Sequence, residues 1–155
     1  MSLAAVNLPK YASVLNRGLG VLGTGASTVG ATAIGVDGSA ADAKVCYTAG
    51  AFGGICESII VSTDNSAALV GIIVYILDVA TVNPLGTVSV PLSSGSTAAA
   101  PAADIINGLP GLPINSVYKK YIPLKANQTI KIASVSALTA NKYIWVSTSG
   151  VDFVA

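Results

Sequence analysis

There is no histidine in the 155 residues. That removes the imidazole on which Ser-His-Asp and Cys-His nucleophilic systems depend, and with it the commonest metal ligand. Charge is almost as scarce. Lys, Arg, Asp and Glu make up 10% of the chain, against about 25% in soluble domains. The seven acids are Asp37, Asp42, Glu57, Asp64, Asp78, Asp104 and Asp152. Glu57 falls in a predicted strand; most of the others fall at turns or segment ends, where Asp serves the backbone. Two cysteines without histidine cannot close a structural zinc site. Glycoside hydrolysis needs only two carboxylates, but nothing in the sequence pairs two of these acids. The expectation is a non-enzyme: catalytic residues none, cofactor-binding residues none, metal ligands none.

Long apolar runs are missing too. The longest, AALVGIIVYIL from Ala67 to Leu77, is eleven residues, short of the roughly 20 that a spanning helix needs. Its β-branched content marks a strand buried on both faces. The segment MSLAAVNLPKYASVLNR has no basic stretch followed by a continuous apolar block, so a leaderless protein made in the cytoplasm is expected. The eight Lys and Arg are scattered, and Lys119-Lys120 is the only adjacent pair. Nucleic acid binding needs several phosphate contacts on one face, so neither nucleic acid nor membrane is an expected partner.

RGLGVLGTG, from Arg17 to Gly25, spaces Gly18, Gly20 and Gly23 as G-x-G-x-x-G. A dinucleotide site needs a strand before this motif and a helix opening at its last glycine. Here Gly25, Gly30 and Gly35 interrupt any helix, and Thr28, Val29, Thr32, Ile34 and Val36 favour extended backbone. With no helix start to hold a pyrophosphate, the glycines read as an extended segment lying close against a partner, or adding a strand to a partner's sheet edge.

What the chain does have is a succession of short β-rich segments between turn signals. Strands are expected at Lys44–Ala49, Ile55–Thr63, Ala68–Asp78, Thr87–Leu92, Val117–Leu124, Thr129–Val135 and Tyr143–Thr148, with a short one at Val151–Val154. NPLG, Asn83 to Gly86, reads as a turn. SSGSTAAAPAADIINGLPGLPIN reads as a long crossover with a helical turn near Ala102–Ile106, ended by Gly108 and Pro110. The fold class is therefore all-β: an antiparallel β-sandwich, jelly-roll-like, of about eight strands, with an extended N-terminal arm. The expected division is residues 1–35 as arm and 36–155 as sandwich. An up-and-down barrel is the alternative, and the long crossover counts against it.

Cys46 and Cys56 flank YTAGAFGGI, which reads as a hairpin tip with the thiols facing across the strands. A disulfide and two buried small apolar side chains both fit, the second better in a reducing compartment. Trp145, the only tryptophan, lies in the alternating YIWVST and is expected in the core. Asn127 of the sequon NQT reads as a turn residue. Tyr118 and Tyr121 flank the lysine pair, which is expected on the solvated side of a strand.

From Cys46 to Phe153 the layout YTAGAFGGICESIIVSTDNSA, IVYILD, KYIPLKANQTIKIAS and YIWVSTSGVDF resembles jelly-roll capsid decoration (cement) proteins of tailed double-stranded DNA phages. The resemblance implies a non-enzymatic virion protein, a homotrimer on the outer capsid surface that clamps neighbouring major capsid proteins and stabilises the shell. Glu57, Lys119 and Lys120 are the charges expected nearest the trimer contact. The low charge agrees, since sparse charge leaves a free monomer prone to association. A tail or fibre component, or a carbohydrate-binding jelly-roll module, is the alternative. The second would need convergent acids or exposed aromatic rings.

With no ligand set for a metal and no phosphate-binding helix start, EDTA and NAD should each leave the thermal melting temperature unchanged. A reproducible shift in differential scanning fluorimetry with either one contradicts the reading.

Overall fold

Segments such as TIKIAS and IWVSTSGVD turn every second side chain to the same face, and two sheets with one apolar face each must pack together. The computed structural model describes residues 14–22, 43–66, 69–79, 81–97, 100–135 and 142–154. Its strands are β1 (Val14–Leu22), β2 (Lys44–Thr48), β3 (Gly54–Thr63), β4 (Val70–Asp78), β5 (Thr81–Val90), β6 (Ala103–Asp104), β7 (Ile122–Leu124), β8 (Thr129–Ser134) and β9 (Ile144–Asp152). A 3-10 turn, Ile105–Gly108, follows β6 and is capped by the Asp104 carboxylate, which accepts from the Ile106 N–H.

One sheet runs β1-β9-β3, with β6 and β7 end to end along the far edge of β3; the other runs β2-β8-β4-β5. Counted as one interrupted strand, β6 and β7 make the orders 1-8-3-6 and 2-7-4-5, a jelly roll. Among the described strands only β4 and β5 pair with their sequence neighbour, which excludes the up-and-down barrel.

Isoleucine and valine fill the space between the sheets. Ile59 and Val61 of β3 and Ile144 and Val146 of β9 meet Ile72 and Val74 of β4 and Ile130 and Ile132 of β8. Each is essentially fully buried, and burying one such side chain contributes roughly 1.5–3 kcal/mol. Ile73, Tyr75 and Ala133 form a second buried cluster, so β4 is buried on both faces as its composition requires.

Bulges adjust this alternation. In β3 the register slips between Cys56 and Ser58, so Glu57 and Ser58 both miss the core while Cys56 and Ile59 enter it. Cys46 is the extra residue of a bulge in β2. Its carbonyl accepts the Thr148 hydroxyl at 2.7 Å, and that hydroxyl accepts the Gly18 N–H at 3.0 Å. A Cβ at Gly18 would overlap the Cys46 carbonyl oxygen. This is why a glycine stands there.

Several expectations change. Residues 14–22, placed in the arm, form an edge strand antiparallel to β9; the rest of residues 1–35 lies outside the described residues. NPLG is not a turn but part of β5, where Leu85 is the extra residue of a bulge opposite Val74 and Tyr75. Edge strands tolerate such a proline. The turn falls instead at Val79, whose φ is 54°. Val117–Leu124 contracts to β7, and the lysine pair sits in the loop before it. β9 runs unbroken to Asp152, absorbing the separate strand expected at Val151–Val154. YTAGAFGGI is no hairpin: β2 and β3 belong to different sheets, and a tight Gly50–Gly53 turn carries the chain between them. The helical turn of the crossover is found two to three residues later than expected, as Ile105–Gly108.

Because β1 completes one sheet, removing Ser2 to Gly23 should lower the melting temperature by about 10 °C or abolish the cooperative transition. Gly18→Val should lower stability by about 2 kcal/mol through overpacking. A truncated chain that melts like the parent in calorimetry would return this segment to arm status.

Candidate functional site

On the outer face of the β1-β9-β3 sheet, the β3 bulge pushes Glu57 into solvent beside Ser58. The loop before β7 folds back over this region, and between them lies a groove of about 510 Å³. Glu57, Ser58, Asp104, Lys119, Lys120 and Ser149 contribute to its lining. The three charges singled out from sequence, Glu57, Lys119 and Lys120, are thus brought together, across more than sixty residues of chain.

The loop wall is held by its own bonds. Asn115 Oδ1 accepts the N–H groups of Val117 (3.1 Å) and Lys119 (2.9 Å). Lys120 Nζ donates to the carbonyls of Asn107 (3.0 Å) and Leu109 (2.6 Å), fastening the loop to the end of the 3-10 turn. On the opposite wall Asp104 accepts the N–H groups of Ile59 (3.4 Å) and Ile106 (3.3 Å). Lys120 and Asp104 are therefore occupied in building the groove. The side chains of Glu57 and Lys119 make no hydrogen bond or ion pair among the described residues and are left to face a ligand or partner.

Farther along the same face stands Trp145. It is 42% exposed, not in the core, because Ile144 and Val146 take the inward positions on either side. Its ring stacks on Tyr143, with centroids 5.7 Å apart and planes 21° from parallel. The Tyr143 N–H donates to Asp64 Oδ1 at 2.7 Å and its carbonyl accepts the Thr63 hydroxyl at 2.9 Å. The aromatic pair was not legible as a surface feature, although the phase of YIWVST contains the signal.

The two thiols are buried and free. Cys46 donates to the Ile130 carbonyl and Cys56 to the Ser58 carbonyl, each at 3.5 Å. Burial pushes the Cys56 thiol up to about 12, with the Asp104 and Glu57 charges adding to the rise. Cys46 is raised further by burial and by Cys56. Tyr47 is also raised, by burial and then by the Asp152 carboxylate. Groups held neutral in this way are poor nucleophiles. Asn127 has φ 58° and occupies the turn before β8, as expected. Among the described residues, no group of three or more His, Cys, Asp or Glu is placed to hold a metal ion, and no helix is long and apolar enough to cross a membrane.

Compared with family models, curated proteins and solved structures, the chain matches none. The fold defines the class, a jelly-roll β-sandwich, and function has to be argued from its surfaces.

The raised thiols fix the direction of the pH response. The unfolded chain releases these protons from about pH 9 while the native state keeps them to about 12, so stability is complete below pH 9 and falls as pH rises. The slope is up to about 1.4 kcal/mol per pH unit for each thiol. Urea titrations from pH 7 to 10.5 should show this decline, shallower in Cys56→Ala. A thiol reagent at pH 8 should label neither cysteine until denaturant is added; rapid native labelling contradicts their burial.

Proposed function

We propose that this chain is a non-enzymatic structural protein of a virus particle, a capsid decoration protein that binds the outer surface of a shell and stabilises it. The observation that carries the proposal is the display of large apolar side chains on exposed turns. Phe52 is 60% exposed in the Gly50–Gly53 turn, Val79 is 95% exposed at the β4–β5 turn, and Tyr118 is 90% exposed in the loop before β7. Val79 and Tyr118 also adopt left-handed backbone, with φ of 54° and 60°. For a β-branched residue this conformation is strained, at a cost of order 1–3 kcal/mol. A turn built only for stability would carry Gly or Asn there.

Phe52 and Val79 share one end of the sandwich. The Asn127 N–H donates to the Gly50 carbonyl at 3.1 Å, and Gln128 Nε2 donates to Asp78 Oδ2 at 2.9 Å, which ties the three turns together. An apolar end on a chain with 10% charge suits a surface covered in an assembly. The partners are the major capsid protein and further copies of this chain, as a homotrimer. Binding to the assembled shell and not to its dissociated subunits stabilises the shell by mass action. The jelly roll is a frequent architecture of capsid proteins, which agrees with the resemblance of its layout to decoration proteins.

Cryo-electron microscopy of the purified native particle should show copies of this fold around local three-fold axes of the outer shell. Particles stripped of it should keep their icosahedral form and lose heat resistance. A particle with no such density, together with a chain that remains monomeric by light scattering, overturns the proposal.

A further inference from the structure

We infer that the outer face of the β1-β9-β3 sheet is a binding face for a neutral oligosaccharide, with Trp145 as its stacking platform and the groove beside Glu57 as its polar end. The inference does not rest on the decoration reading: the face is separate from the apolar end at Phe52 and Val79, and only Tyr118 stands in the loop that walls the groove.

The register aligns the parts. Trp145 pairs with Ser62, Ser147 with Ile60, and Ser149 with Ser58. Ile144, Val146 and Thr148 point inward, so Trp145, Ser147 and Ser149 share the outer face. At about 3.3 Å per residue the platform and the groove lie about 13 Å apart along one strand. On β3 and β9, serine side chains line the path between them, interrupted by the half-buried Ile60, and the register sets Leu19 and Val21 of β1 beside it. An extended chain of sugar rings has the matching chemistry: apolar C–H faces that stack on an aromatic ring, and hydroxyls that both donate and accept.

Both ends of the face are preformed. Stacking on Tyr143 fixes the platform, and bonds from Thr63 and to Asp64 hold that tyrosine's backbone. The Asn115 and Lys120 bonds fix the loop wall of the groove. At about 510 Å³ the groove has the size of small-ligand sites. Its lining balances two acids against two lysines, which suits a neutral ligand. A phosphate or nucleotide would meet Glu57 and Asp104. A protein partner fits less well, because the centre of a protein interface is depleted in serine.

Trp145 is the only tryptophan, so its fluorescence reports on this face alone. Cellohexaose, maltohexaose and the hexamer of N-acetylglucosamine are the probes. At least one should give a saturable change in emission. By calorimetry, Trp145→Ala should weaken that binding by about tenfold or more. Glu57→Gln should weaken it several-fold and keep the parent melting temperature, and Trp145→Ala should still unfold in one cooperative transition. No saturable change with any of the three sugars overturns the inference. So does binding that survives Trp145→Ala unchanged. If Trp145→Ala alters only the oligomeric state, the face belongs to a protein contact and the inference is again overturned.

Discussion

The two sheets hold together through one layer of isoleucine and valine, and where they close, at β1 and β2, the Thr148 hydroxyl links them. Thr148 on β9 donates to the Cys46 carbonyl on β2 and accepts from the Gly18 N–H on β1. Three strands from two sheets thus satisfy one another inside the fold, where an unpaired polar group costs roughly 1–3 kcal/mol. The approach is close enough that only glycine fits at position 18. The glycines that imitate a nucleotide motif lie in a segment whose described part builds a sheet. Gly18 stands there for packing.

A scaffold closed in this way leaves its chemistry on the outside. The buried polar side chains Thr63, Thr148 and Gln128 are all spent on backbone or on one another's loops. The thiols are held neutral by burial. What remains available is surface: apolar turns at one end, and a polar groove with an aromatic platform on one sheet. The first suits a protein neighbour, the second a smaller polar ligand.

Most of the sandwich was legible because period-two alternation is a local signal. β3, β4 and β8 fall within two residues of expectation. What misled was chemistry with two structural meanings. Proline and glycine in NPLG read as a turn, yet an edge strand with a bulge accommodates both. In YIWVST, either Tyr143, Trp145 and Ser147 or Ile144, Val146 and Thr148 could face inward. The β-branched set took the core because it packs the pleat, and its one polar tip, the Thr148 hydroxyl, is satisfied by Cys46 and Gly18. The groove was beyond reach for a different reason. Glu57 meets Lys119 and Lys120 only through a bulge and a loop that folds back over the sheet, and neither has a period.

The central claim is that function here lies in surfaces covered by assembly, and side-chain footprinting tests it most directly. Hydroxyl-radical labelling of the isolated chain should modify Phe52 and Tyr118 readily, given their exposure. In the native particle Phe52, at the apolar end, should become protected, while Trp145 on the separate sheet face stays reactive. Equal labelling of Phe52 in the two states would contradict the account, since the residue argued to dock would then be as open in the particle as in solution.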